Sequence, residues 1–384
     1  MLVRGQRLGP ESGVDMKSRA AVLFESPGRY QIVDVEVDEP KAHEVLVRYV
    51  ASGLCHSDVH YLDGSHAGPI PMCAGHEGAG IVEQVGPGVV GFVPGDHFVA
   101  SFIPSCGRCR YCAQGRTNLC NLGAHLQNGP MPDGTYRMHH DGVDLHQFLL
   151  ISTFSQYAVV SENSLVKVPK DVPLETVCLL GCGVGTGLGS AINAAEVRPG
   201  DNVMVLGAGG VGMSAVQGAA LAGAATVIAV DPVEFKREMA QKLGATHTFA
   251  DMAEATDFVR SISDGQGAES AILCMGRPTN ADVAAAFDAI AKGGTVVVTG
   301  MAAMSEPAAI PIHLLALGGM QKTIRGALFG MCSPPVDILR QIDLYRAGKL
   351  KLDEMITRRY SLDDINVAVD DLIEGRNIRG VITL

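Results

Sequence analysis

Four cysteines fall within fifteen residues, Cys106, Cys109, Cys112 and Cys120, spaced C-x2-C-x2-C-x7-C. Four soft thiolates this close suit a closed tetrahedral zinc site, which can hold together a lobe too irregular to hold itself by packing. Two other readings compete. The first three cysteines match an iron–sulfur run, but that run needs its fourth cysteine three residues on and then proline. Here seven residues intervene and Asn121 follows. A zinc ribbon for nucleic acid conflicts with a net charge of −11. The spacing therefore predicts structural zinc.

Three more residues sit in contexts that suggest a second metal: Cys55 in GLCHSDVH, His76 in GHEGAG, and Cys182 in GCGVGTG. Two thiolates and one imidazole, with a fourth position open to water or substrate, are the donor set of a catalytic zinc. No spacing rule joins residues this far apart. Taken singly, each reads as a buried core cysteine or an ordinary histidine.

The elements that must position these groups are clearest at Val203–Asp231. A short apolar run, Val203–Leu206, leads into Gly207, Gly209 and Gly212 on the G-x-G-x-x-G pattern, together with Gly210 and Val211. A helical segment follows, and a second apolar run, Thr226–Val230, ends at Asp231. Such glycines allow a tight turn, close approach of backbone to a pyrophosphate, and close helix–strand packing. The helix N-terminus offers free N–H groups to phosphate. An acid about 20 residues on accepts ribose hydroxyls and repels a 2′-phosphate, so NAD is the predicted cofactor. Val203–Val230 is also uncharged and long enough to span a bilayer, but six glycines interrupt it. Strands buried on both faces of a parallel sheet read as the same continuous apolar runs.

A chain of 384 residues predicts two domains. The acidic balance, without a long basic run, argues against nucleic acid and against an anionic membrane surface. Met1–Arg19 carries Arg4 and Arg7 but no apolar core of a secretory signal; it reads as a disordered extension, with Met16 as a second possible start. Ten cysteines without a signal suggest thiolates in a reducing cytoplasm. From Ala20 the pattern is short and β-like, through RAAVLFE, YQIVDVEV and EVLVRYVASG, and predicts a small barrel-like lobe. Leu119–Leu150 reads as a long functional loop, and its His139, His140 and His146 as solvated. After Gly200 strands and helices alternate, with strands expected at Val203–Leu206, Thr226–Val230, His247–Phe249, Ser270–Cys274 and Thr295–Thr299. That alternation predicts a doubly wound parallel sheet, a Rossmann α/β domain. Arg379–Leu384 reads as a closing strand.

The motifs GLCHSD, GHEGAG, the four-cysteine lobe, STFSQY, GCGVGTG and the glycine fingerprint occur together and in this order. With them the chain, over nearly all of Ala20–Leu384, resembles the zinc-dependent medium-chain alcohol dehydrogenases. FIPSCGRC, NAAEVRPGD and AVDPVEFKRE make it most similar to the actinobacterial branch that includes nitrosodimethylaniline-dependent nicotinoprotein enzymes. The resemblance implies a GroES-like, mainly β catalytic domain over 20–184 and 328–384 around an NAD-binding domain over 185–327. It implies that Cys55, His76 and Cys182 bind catalytic zinc with Glu77 close behind, and that the chain is a homodimer or a tetramer. The long loop Asn121–Leu150 and the apolar run Ile310–Leu317 resemble those of dimeric relatives.

Position by position, the resemblance makes Ser57 the hydroxyl that meets the alcohol oxygen, and His60 the solvent-side end of a proton relay. Asp58 becomes the carboxylate that orients the zinc-bound histidine. Asp231 and Lys236 match adenosine-ribose contacts and Arg379 a pyrophosphate contact. Phe102, His66, His125, Leu149 and Met301 match walls of the substrate pocket. One departure is His56, which stands where many relatives place an arginine against the pyrophosphate; histidine titrates at about 6.5, so that charge is not permanent. The activity implied is reversible oxidation of a primary or secondary alcohol to aldehyde or ketone, with hydride passed to NAD. A nicotinoprotein with permanently bound NAD(H), a glutathione-dependent formaldehyde dehydrogenase and a polyol dehydrogenase are the nearest alternatives. A non-enzymatic NAD-binding protein would not be expected to keep Cys55, Ser57, His60 and His76 together.

Overall fold

The computed structural model describes residues 16–301 and 309–384. Three sheets organise them. One joins Met16–Leu23 and Gln31–Val37 to short strands at Met72–Cys73, Met138–His140, Val143–Asp144 and His146–Gln147. The second runs Leu165–Val168, His97–Ala100, Glu77–Val85, Glu44–Gly53, Arg379–Thr383, Ile356–Ser361, with Tyr157–Ser161 also paired to Glu44–Gly53. The third is a parallel sheet of six strands in the order His247–Phe249, Thr226–Val230, Asn202–Leu206, Ala268–Leu273, Ile290–Val298, Thr323–Gly326.

In the third sheet the strand order reverses beside Asn202–Leu206, and ligands of such sheets bind in the crevice beyond the strand ends at that point. Met204, Val205, Ile228, Ala229, Ala271 and Ile272 are all fully buried, as strands covered on both faces must be. The five strands expected from the sequence form within a few residues of their predicted limits. The sixth, Thr323–Gly326, carries no such signal: TIRG is short, partly exposed and at the sheet edge.

Two expectations are corrected. Met16–Arg19 does not belong to an extension: Met16 to Arg19 pair with Val37 to Asp34, and residues 1–15 lie outside the described part. Leu119–Leu150 is not one open loop, because three short strands inside it complete the first sheet. Nor are its histidines all solvated. His139 is buried between Asp144 and Asp38, at 2.7 and 3.2 Å.

The C-terminal segment returns to the first half of the chain, with Val381 opposite Gly53 in antiparallel register. The 184/185 division falls inside the helix Gly183–Gly189, so the two halves are joined by a continuous buried element. Burial of a charge anchors the region after the four-cysteine lobe. Arg137, fully buried, makes two 2.7 Å bonds to Glu44 and one of 2.8 Å to Asp133. Removing one partner of such a pair strands the other charge, so Arg137→Met should cost about 3–5 kcal/mol. Chemical denaturation measures this, with Glu44→Gln in the same background expected to recover part of the loss.

Candidate active site

The helix His56–Leu62 begins immediately after Cys55, and Asp58 fixes that beginning: one carboxylate oxygen accepts the Cys55 N–H at 3.0 Å. The other oxygen lies 3.0 Å from His76 Nδ1. Asp58 is almost fully buried, so one side chain sets both the start of the helix and the orientation of the imidazole. With Nδ1–H donated to Asp58, Nε2 presents its lone pair, and among the described residues that buried Nε2 has no hydrogen-bond partner.

The donor atoms of Cys55, His76, Glu77 and Cys182 all lie within 4.8 Å of one another. Two thiols, an imidazole nitrogen without a partner among the described residues and burial at the cleft wall fit a zinc ion better than any set of hydrogen bonds the site makes by itself. The Cys55 thiol is pushed well down by its hydrogen bond with Cys182, and Cys182 is pushed up by the same contact. Burial works against a charged His76, but Asp58 and then Cys55 more than offset it. Glu77 stands within the set yet is engaged elsewhere. One oxygen accepts the Gly183 N–H at 3.1 Å and the other pairs with Arg379.

Cys106, Cys109, Cys112 and Cys120 form a second cluster of the same dimension. The lobe offers little apolar core, and its turns instead point backbone N–H groups at sulfur, as Cys109 N–H to Cys106 Sγ at 3.4 Å. N–H groups of Cys112 and Asn121 bring the Cys109 thiol down to about 6. A closed cluster away from the cleft fits a structural zinc.

A cleft of about 960 Å³ separates the halves and is lined by Cys55, His76, Cys182, Gly207, Gly209, Gly210, Val211, Asp231, Lys236 and Arg379. The glycines are used as their spacing predicts. Gly207 turns at a φ of 89°, Gly209 opens into space, and a Cβ on Gly212 would lie 1.8 Å from the Gly207 carbonyl oxygen. Asp231 accepts the N–H groups of Ala208 and Val233, both at 2.9 Å, which leaves a lone pair on each oxygen for a ribose. Arg379 first serves Glu77, but its Nε is buried without a partner among the described residues, and its side chain lies so close to Gly210 that a Cβ there would meet it at 2.2 Å. Together these fit a nicotinamide dinucleotide. His56 also lines the cleft; burial lowers its pKa, Cys55 pulls it the other way, and Lys236, His60 and Arg379 add to the lowering.

Ser57 Oγ lies 3.8 Å from Cys55 Sγ and 3.7 Å from Met301 Sδ, so these two line one corner of the cleft. His60 is only 2% exposed, which corrects its expected place at the solvent side: Nε2 meets the Gly276 carbonyl at 3.2 Å and Nδ1 meets Ser65 Oγ at 3.1 Å. Burial, His66 and Arg277 lower its pKa. Phe102 and Leu149 line the cleft as expected, whereas His66 and His125 do not. His66 stacks instead beside His60, with ring centroids 5.0 Å apart.

Two walls escaped the sequence reading. Phe148 and Phe102 set their rings edge-on to His76, at 5.5 and 5.9 Å, and Phe329 packs on Phe102 at 5.6 Å. Phe329 itself has a φ of 53°, and Leu149, beside Phe148, one of 50°. No residue-type signal marks left-handed turns at such side chains, which is why the pattern hid them.

A zinc-type donor set facing a dinucleotide cleft between a β lobe and a parallel α/β sheet defines a metal- and nicotinamide-dependent oxidoreductase. Comparison with known proteins agrees. Residues 41–170 match the alcohol dehydrogenase GroES-like domain and residues 210–343 the zinc-binding dehydrogenase model. The chain is 51% identical to the NDMA-dependent alcohol dehydrogenase of Amycolatopsis methanolica, over 96% of this chain and 99% of that one. Among solved structures it resembles an alcohol dehydrogenase zinc-binding domain protein from Burkholderia ambifaria (36% identity, TM-score 0.90) and the benzyl alcohol dehydrogenase of Acinetobacter calcoaceticus (34%, 0.89). Each match covers 96% of this chain and 99% of the other. The chain belongs to the zinc-dependent alcohol dehydrogenase family.

The two cysteine sets should separate in experiment. Cys182→Ser is expected to lose one zinc and nearly all turnover while melting close to wild type. Cys112→Ser should lose the other zinc and chiefly lower the melting temperature. Elemental analysis and thermal melts on both variants check this, and equal loss of melting temperature and activity in the two would contradict it.

Proposed function

We propose that this enzyme oxidises small, uncharged alcohols with an apolar body, using NAD and two zinc ions per chain in catalytic and structural roles. The observation that carries the reading is the cleft itself, where the Cys55–His76–Cys182 set and the Gly207–Gly212 turn line one space. Zinc there supplies Lewis acidity toward the alcohol hydroxyl, and the nicotinamide supplies the hydride acceptor. Ser57 hydrogen-bonds the hydroxyl, accepting its proton as it gives up its own. His60, held neutral by burial, is the base placed to take up a released proton and pass it toward Ser65. Asp231 favours the free 2′-hydroxyl of NAD. Phe102, Phe148 and Phe329 exclude water and hold the apolar body. Beside them the charged cleft residues, Asp231, Lys236 and Arg379 among them, belong to the coenzyme arm, which disfavours an anionic glutathione adduct.

A second reading, a nicotinoprotein that keeps its NAD(H) through turnover, draws support from the similarity to the NDMA-dependent enzyme. His56 pulls the other way, since burial leaves no permanent charge against the pyrophosphate. We take exchangeable NAD as the primary reading. The exposed Leu314 and Leu315, in the helix that precedes the edge strand Thr323–Gly326, support a homodimer formed along that edge, with a tetramer as the larger alternative; a cytoplasmic location is part of the same proposal.

Steady-state kinetics should show kcat/KM for benzyl alcohol at least about tenfold above ethanol, a difference of about 1.4 kcal/mol, with S-(hydroxymethyl)glutathione the poorest of the three. The reverse order would overturn the substrate assignment. Asp231→Gly with a nearby arginine added should relax the preference for NAD over NADP. Equal use of both cofactors by the wild type would contradict the role of Asp231. Light scattering that finds only monomer would contradict the dimer.

A further inference from the structure

We infer that the seam between the helix His56–Leu62 and the loop following Ala268–Leu273 is a latch that retains the dinucleotide, with Arg277 and Asp63 as its clasp. The inference rests on the reading that the cleft holds NAD. Three contacts cross between the two halves there, and a fourth comes from Met301, after the neighbouring strand Ile290–Val298. The Gly276 carbonyl oxygen lies 3.2 Å from His60 Nε2. A Cβ on Gly276 would lie 2.7 Å from the His56 ring, so that ring rests directly on the glycine. Ser57 Oγ reaches Met301 Sδ at 3.7 Å, and the Arg277 guanidinium pairs with Asp63. Both sides of the seam line the same cleft, so a dinucleotide seated between the halves is released when the seam parts.

Asp63 has little reason to be acidic for its own helix. It caps the C-terminal end, where the dipole favours a cation, so its charge is compensated by Arg277 from the other half. It also accepts the Ser65 N–H at 2.9 Å, a local turn that asparagine would preserve. Arg277 and Asp63 are half-exposed, which limits the clasp to a modest effect on release rather than on folding. Neither touches the zinc ligands or Ser57, but Arg277 lowers the His60 pKa and Asp63 holds the Ser65 N–H, so the clasp is read by NADH release rather than by turnover.

The experiment is NADH release from zinc-loaded enzyme, followed by the fall in NADH fluorescence on chasing with excess NAD, or by loss on dialysis where release takes hours. Arg277→Ala and Asp63→Asn are each expected to release NADH about three- to fivefold faster, with unchanged melting temperature and unchanged zinc content. The double variant should be no faster than either single one, because both remove the same contact. Wild-type release rates in both single variants, or effects that multiply in the double, would overturn the latch. Failure of the wild type to bind NADH at all would overturn the cofactor reading beneath it, a distinguishable result.

Discussion

The buried pair of Glu77 and Arg379 is the constraint on which the rest of the site depends. Glu77 follows His76, and its carboxylate also accepts the N–H of Gly183, which follows Cys182. Two candidate metal donors far apart in sequence are thereby registered on one side chain. Arg379, from the closing strand, completes the pair and packs on Gly210 of the phosphate turn. Burial pushes the Glu77 carboxyl up to about 7, with Arg379 resisting the shift. Such a pair need not stabilise the fold relative to apolar residues. Its value here is positional, because it ties the metal centre to the coenzyme turn.

The cost of that placement is visible in the glycines around it. A Cβ on Gly53 would come within 2.2 Å of Glu77 Oε2, and one on Gly183 within 2.9 Å of Arg379 Nη1. These glycines are required by close approach to the ion pair and not by backbone conformation. The GCGVGTG motif is therefore a packing solution around a charge as much as a ligand motif.

What was legible in the sequence follows from how local each signal is. The parallel sheet and its phosphate turn were readable because Gly207, Gly209 and Gly212 act within a few residues of one another. The four-cysteine lobe was readable for the same reason. Cys55, His76 and Cys182 carry no mutual signal, since the long strand Glu44–Gly53 and its partners bring them together; only the family resemblance joined them. The buried position of His60 and the engagement of Arg379 with Glu77 were hidden as well, because each depends on a residue from the other end of the chain. Phe148 and Phe329 were missed because left-handed turns aim them, and no residue type announces such turns.

The account stands or falls on a metal held where Asp58 and Glu77 place the donors. Diffraction from crystals grown with NAD, measured on both sides of the zinc absorption edge, tests this directly. Two anomalous peaks per chain are predicted, one bonded to Cys55 Sγ, His76 Nε2 and Cys182 Sγ with the nicotinamide beside it, the other inside the four-cysteine lobe. A single peak confined to that lobe, with NAD bound and Cys55 and Cys182 bare, would contradict it.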